Sequence, residues 1–314
     1  MIRFRVAACA GIVALILSAG TGRPVHAQFK QAPADPAWIA KKAEMTKLGI
    51  EQKSAVGLYE YLKKQAKGGT INPDPHNLPD WTGVWTREAS PFEYDPDQKP
   101  GGLPTAKLTP KYQEELDKIL AMRKKGIEYD PISACGVPPG MPRWLAEPFL
   151  REFVNTPSET LLINESGNDI RRVYTDGRGH PPKEDQYPLY NGDSIGFWDG
   201  DKLVVHTDEM MEGIYQRGQP THSDQVQTVE IWQVTDPKTM DVFVWIYDPP
   251  SLEQPWFMRQ RYKRLTNDDK SLRIRYWACG ENPNNDITKE KNGASTFTDF
   301  TFTHEDDKKK GDQK

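Results

Sequence analysis

Val226 to Arg264 reads VQTVEIWQVTDPKTMDVFVWIYDPPSLEQPWFMRQRYKR, and its alternation decides the fold. Three runs, Val226–Val234, Asp241–Tyr247 and Trp256–Arg264, are rich in β-branched and aromatic residues and are separated by turn residues at hairpin distances. In the last run Trp256, Met258, Gln260 and Tyr262 share one face, while Phe257, Arg259, Arg261 and Lys263 share the other. That split predicts one face turned inward and one in water.

Working outward, strand patterns recur at Arg151–Asn155, Glu159–Asn164, Ile170–Tyr174 and Leu203–Thr207, and again at Leu272–Cys279 and Thr296–Thr303. No helix-length segment lies between most of them, which disfavours parallel pairing and predicts an antiparallel meander. So many strands in one sheet must close on themselves or form a sandwich to hide their edges. The inward set includes Gln260, Tyr262 and Tyr276 with Trp256 and Ile274. Polar tips on an apolar wall suit a ligand cavity. The expectation is a mainly β, antiparallel barrel or strongly curved sheet enclosing a pocket.

Two helical segments precede this region. Residues 36–66 place Trp38, Leu48, Leu58, Tyr59 and Leu62 at three- and four-residue spacings, with Gly49 and Gly57 expected to divide or weaken the helix. Lys107–Lys125 is the second, with Thr109 at the N-cap, Pro110 in the first turn and Gly126 as its stop. Between them, Asp80–Trp85 is the one strand candidate in a stretch dense in Pro and Gly. Its Gly83-Val84-Trp85 resembles the short Gly-x-Trp signature that opens lipocalin first strands.

The N-terminus carries Arg3 and Arg5, an uncharged run from Val6 to Gly20, and Val25-His26-Ala27 before Gln28. This is the order of a secretory signal peptide with cleavage after Ala27. The expected organisation is a signal at 1–27, a helical arm at 28–71, a β-rich domain at 72–304 and a disordered tail at 305–314. Cleavage would remove three of the 41 basic residues and none of the 45 acidic ones, leaving 38 against 45, or −7. A mildly acidic chain whose only basic block is Lys308–Lys310 is a poor partner for nucleic acid. Two cysteines remain in that mature chain, Cys135 and Cys279, and in an oxidising compartment they are expected to pair. The alternative is a reactive thiol at Cys279.

The polar residues that suggest a site cluster in Tyr174–Thr207, which contains YTDGRGHPP and then GDSIGFWDGDKLVVHT. Gly192-Asp193-Ser194-Ile195-Gly196 matches the G-x-S-x-G nucleophile elbow, but that motif needs a helix directly after the serine. Here Asp199-Gly200-Asp201 reads as a hairpin turn into Leu203–Thr207, so the context opposes serine chemistry. His180, His206 and His222 with Asp176 or Glu230 lack every compact metal spacing, and neither a metal nor another cofactor is expected. Tyr174, Asp176, Arg178 and His180 have two readings. In one, Asp176-Gly177 is a tight turn with Arg178 paired to Asp176. In the other, His180 is a general acid/base with Asp176, Asp193, His222 and Glu230 orienting or assisting it, Tyr174 and Arg178 hold the substrate oxygen, and Glu230, if not catalytic, pairs with Arg178, which His222 could join. Ser194, Trp198 and Tyr262 would then line the substrate pocket.

The phrases YTDGR-x-H-P, G-x-SIG-x-W-x-GD-x-LVV-x-T, a later PHS-like turn, DP followed by PW, and C-x-EN resemble an uncharacterised family of secreted bacterial proteins, over about Cys135 to Asn282. Members of that family carry His where this chain has Asp193, and an acid-Arg-aromatic run where it has Glu230-Ile231-Trp232. The resemblance implies export and a shared site, and no particular reaction. The residues together suggest an exported enzyme acting on a small, partly apolar molecule by acid–base chemistry: elimination, isomerisation or hydrolysis. The alternatives are a periplasmic, lipocalin-like carrier of an apolar ligand and a structural protein of the envelope.

Overall fold

The computed structural model describes residues 36–88, 106–127, 140–215, 219–265 and 272–277. The segment read as a signal peptide, Cys135, Cys279, Thr296–Thr303 and residues 305–314 lie outside them. Among the described residues no helix is long and apolar enough to cross a membrane.

Nine strands close into a barrel: β1 (Trp85–Arg87), β2 (Arg151–Asn155), β3 (Glu159–Asn164), β4 (Asp169–Tyr174), β5 (Asp193–Asp199), β6 (Lys202–Asp208), β9 (Gln227–Asp236), β10 (Thr239–Tyr247) and β11 (Trp256–Arg264). A two-stranded ribbon, β7 (Gly213–Ile214) with β8 (Thr221–His222), is inserted between β6 and β9. Around the barrel the order is β1-β11-β10-β9-β6-β5-β4-β3-β2, and β2 returns to β1 through Trp85 and Arg151. All neighbours are antiparallel except β4 and β5, which meet in parallel at Tyr174 and Ile195. The barrel is therefore mixed and not a pure meander. Residues 175–192 are long enough for the crossover that a parallel pair requires.

Of the strand expected at Leu272–Cys279, residues 272–277 are described. Residues 272–277 run without strand pairing, held by Asn168, whose side chain bonds both the N–H and the C=O of Trp277. Tyr276, expected inside, is 82% exposed, and Ile274 is half-buried.

The inward face predicted for β11 is inward: Trp256, Met258, Gln260 and Tyr262 are all buried. Among the described residues, large rings occupy the interior where a pocket is predicted. Trp81, from the turn before β1, lies 5.4 Å from Trp198 and 6.0 Å from Phe153. Trp144, from the short helix α4 (Arg143–Ala146), lies 6.0 Å from Trp232, which stacks on Tyr262 at 6.3 Å. The Tyr262 hydroxyl donates to the Leu145 carbonyl at 3.0 Å, and the Arg151 guanidinium to those of Trp144 and Glu147, tying α4 into the barrel. Large rings meeting in this way make a close-packed core. Strand β1 begins only at Trp85, leaving Trp81 free to enter that core.

The outer face is not left to water either. Helices α1 (Pro36–Gln52) and α2 (Ala55–Gln65) cover β6, β9, β10 and β11, burying Phe197, Val204, Val229, Trp245 and Phe257. Phe257, assigned to the wet face from the pattern, lies 5.9 Å from Trp38 of α1, with Arg259 over the same indole at 4.1 Å. The helices divide at Lys53, whose φ is 65°, and Ser54, whose hydroxyl caps α2 by accepting the Gly57 N–H at 3.0 Å. The two glycines lie inside the helices. A Cβ on Gly49 would come within 2.7 Å of the Trp245 ring, so this glycine serves close packing and not a break. Trp245 and Tyr247 bond the carbonyls of Met45 and Gly49. Helix α3 (Pro110–Lys124) begins after Thr109 as expected, but the Thr109 hydroxyl donates to the Pro250 carbonyl instead of capping the helix.

Candidate functional site

Adjacent residues of a strand point to opposite faces, and β5 divides the predicted site on that principle. Asp193 faces outward with Ile195 and Phe197. Ser194 faces the interior, opposite Thr207. Two separate clusters result.

The outer cluster depends on the crossover. Residues 175–192 must bring the chain back to the start of β5, and they carry His180 against the outer side of β5 and β6. Its Nδ1 lies 2.5 Å from Asp193 Oδ1, and its Nε2 lies 2.7 Å from Nδ1 of His206. The side chains of His180 and Asp193 are 16% and 17% exposed, whereas His206 is buried, with the Tyr59 ring of α2 5.6 Å from its imidazole. Burial, reinforced by the charge of His180, pushes the His206 pKa down to about 4; Asp208, Gln227 and Glu230 offset this only in part. His206 therefore stays neutral at ordinary pH. The chain Asp193–His180–His206 thus has a solvent-facing end and a dry end.

Glu209 borders the same cluster. It is buried, with φ at 59°, and its Oε2 accepts the Tyr187 N–H at 3.3 Å. Its Oε1 is buried and accepts no hydrogen bond from any described residue. Burial raises its pKa, and the nearby charges of Asp193 and Asp208 push the same way. One ligand atom from each of His180, Asp193 and Glu209 can be chosen so that all lie within 4.8 Å of one another. Among the described residues these three could hold a metal ion; of the histidines weighed from the sequence only His180 is one of them.

The inner cluster is an ion pair sealed in the barrel. Arg171 binds Glu230 with two bonds of 2.8 Å and also donates to Thr207 at 2.6 Å and Ser194 at 3.1 Å. Thr228 and the Trp232 indole complete the Glu230 carboxylate at 2.7 and 2.9 Å. Glu230 is fully buried and its partner is Arg171, not Arg178 or His222, because residues 171 and 230 are both inward positions while Arg178 lies beyond the end of β4. A carboxylate so completely bonded, with no route to solvent, is structural. Ser194, Trp198 and Tyr262, expected to touch substrate, are buried in the same interior and have no access to it.

The remaining predicted residues follow local chemistry. Arg178 chelates Asp176 with bonds of 3.0 and 2.5 Å across a turn in which Gly177 has φ 87°, and its guanidinium stacks 4.0 Å from the Tyr174 ring. This is the tight-turn reading; the Arg178 charge reaches Asp193 only weakly. His222 lies on β8 in a different cluster. Its Nδ1 bonds the Ser223 carbonyl at 3.1 Å, and its ring lies 5.2 Å from Tyr215. Asp248 nearby accepts from the hydroxyls of Ser223 and Ser251. Burial lowers the His222 pKa.

Sequence reasoning missed Arg171, Glu209 and the role of His206. Arg171 was legible as an inward position of β4 once the register was known, and His206 as the residue opposite Ile195. Glu209 gives no signal before the fold is seen.

No protein-family model matches this chain, and no curated protein matches it either.

Proposed function

We propose that this protein is an exported enzyme that moves a proton on a small, partly apolar molecule at the outer cluster. The observation that carries the reading is the hydrogen-bonded chain Asp193–His180–His206, with one end near solvent and the other held dry and neutral. Such a chain suits general acid–base work, because charge gained at one end is shared along it.

Both nitrogens of His180 are engaged, so it is not the group that meets substrate directly. The proton enters through a carboxylate, Asp193 or Glu209, and His180 holds and balances the charge. Elimination, isomerisation and hydrolysis all need such a group. The resemblance to secreted bacterial proteins fits this reading, since the His found there at position 193 also carries protons.

The test is a mass-spectrometric screen of small esters, lactones and hydroxy-carbonyl compounds with the wild type, Asp193→Asn and His180→Ala. Turnover by the wild type that falls at least about a hundredfold in both variants, with folding intact, supports the proposal. Equal turnover in all three would remove it.

A further inference from the structure

We infer that His180, Asp193 and Glu209 form a binding site for a divalent first-row transition-metal ion such as zinc. The inference rests on the outer cluster being the working site, and it names what that site takes in place of a proton.

Three independent features of the geometry converge. One imidazole nitrogen and two carboxylates are gathered within 4.8 Å, a nitrogen and oxygen donor set that suits zinc or manganese and not the soft cuprous ion. Glu209 Oε1 is buried without a hydrogen bond from any described residue, although the Glu209 side chain is held in place through Tyr187. A buried carboxylate oxygen in that state is costly unless a proton or a cation meets it. His180 is also already oriented as a ligand would be. Metal-bound histidines characteristically donate their second ring N–H to a fixed acceptor, and His206 Nδ1 stands 2.7 Å from His180 Nε2.

Coordination releases a proton: the ion takes the place of the proton on His180 Nδ1, which leaves to solvent. The other ring proton of His180 then lies on Nε2, where His206 Nδ1, 2.7 Å away, accepts it. The Nδ1 lone pair of His180 is then free for the ion. Ligands about 2 Å from a tetrahedral ion stand roughly 3.3 Å apart, so the 2.5 Å contact of His180 with Asp193 opens by less than an ångström while Glu209 closes in. Both movements are side-chain rotations at residues that touch solvent or a loop.

The experiment is a calorimetric titration of the metal-stripped full chain with Zn2+, followed by Co2+ absorption and by 15N signals of the histidines. The expected result is one saturable ion per chain, with the His180 Nδ1 signal taking on the signature of a metal-bound nitrogen as it binds and a proton released per ion. Glu209→Gln and His180→Ala should each weaken Zn2+ by more than roughly a hundredfold, and His206→Phe by roughly 10–100-fold as an orienting partner. Glu209→Gln preserves shape, so it keeps the test valid if His180→Ala fails to fold. Absence of saturable binding, or binding that Glu209→Gln leaves unchanged, overturns the inference. Turnover that persists in chelator would overturn the metal's part in the reaction while leaving the acid–base proposal standing. Binding without turnover on any substrate would do the reverse.

Discussion

Two charged clusters lie within one sheet of each other, and they are built on opposite logic. Inside the barrel, Arg171 and Glu230 are buried, joined by two bonds, and surrounded by Ser194, Thr207, Thr228 and Trp232 so that no charge is left over. Outside, His180 and Asp193 sit partly in water, His206 is pressed dry by α2, and Glu209 keeps an oxygen without a donor. The inner cluster spends its polarity entirely on itself. The outer one retains capacity for something else, and this difference separates a structural network from a candidate site more clearly than residue type does.

The comparison breaks most visibly at Glu230. Glu230→Ala strands a buried guanidinium and should cost about 3–5 kcal/mol in urea unfolding. Replacing Arg171 and Glu230 together by Met and Leu should recover most of that loss, because a well-packed apolar pair is often as stable as a buried ion pair. A double variant as unstable as the single one would mean that the pair contributes more than mutual neutralisation.

Acid probes the dry histidines next. His206 and His222 are buried neutral, so their folded pKa values lie below the unfolded one. As pH falls, the unfolded chain takes up these protons first. Stability is therefore full above about 6.5 and drains as pH falls toward about 4, the folded value of His206, by on the order of 3 kcal/mol for that residue. Urea midpoints at pH 7.5, 5.5 and 4.5 measure this, and His206→Phe should flatten the profile. A midpoint constant across that range would contradict the burial of His206 beneath α2.

His180→Ala sharpens the contrast from the other side. It should cost only about 1–2 kcal/mol, the scale of one unsatisfied buried partner, yet it should abolish zinc binding and turnover. The smallest effect is expected at Arg178→Ala. Its exposed pair with Asp176 contributes at most about 1 kcal/mol, and stability and zinc affinity should both stay near wild type. A large loss of zinc affinity in Arg178→Ala would move the site toward the turn.

Much of the barrel was readable before any coordinates. Strands β2, β3 and β11 have the predicted bounds, the Asp199-Gly200-Asp201 turn has Gly200 at φ 62°, and α3 starts and stops at its predicted signals. The errors have a common source. Phe257 was assigned to water, Tyr276 to the interior and Glu230 to Arg178 or His222, and each depended on what lay across from the residue, not on its own strand. The interior is ambiguous for the same reason: polar tips on an aromatic wall look alike whether they line a cavity or, like the Tyr262 hydroxyl, bond to a tryptophan-bearing segment packed inside the barrel.

The order of residues determined which side chains share a face and where each turn falls, because strand alternation and glycine-dependent turns are local properties of the chain. Only the tertiary structure decided which face is enclosed, which helix covers the other, and that a parallel seam between β4 and β5 carries His180 back to Asp193 and His206. Those outcomes depend on contacts between residues far apart in the chain, and a periodic pattern contains no record of its neighbours in space.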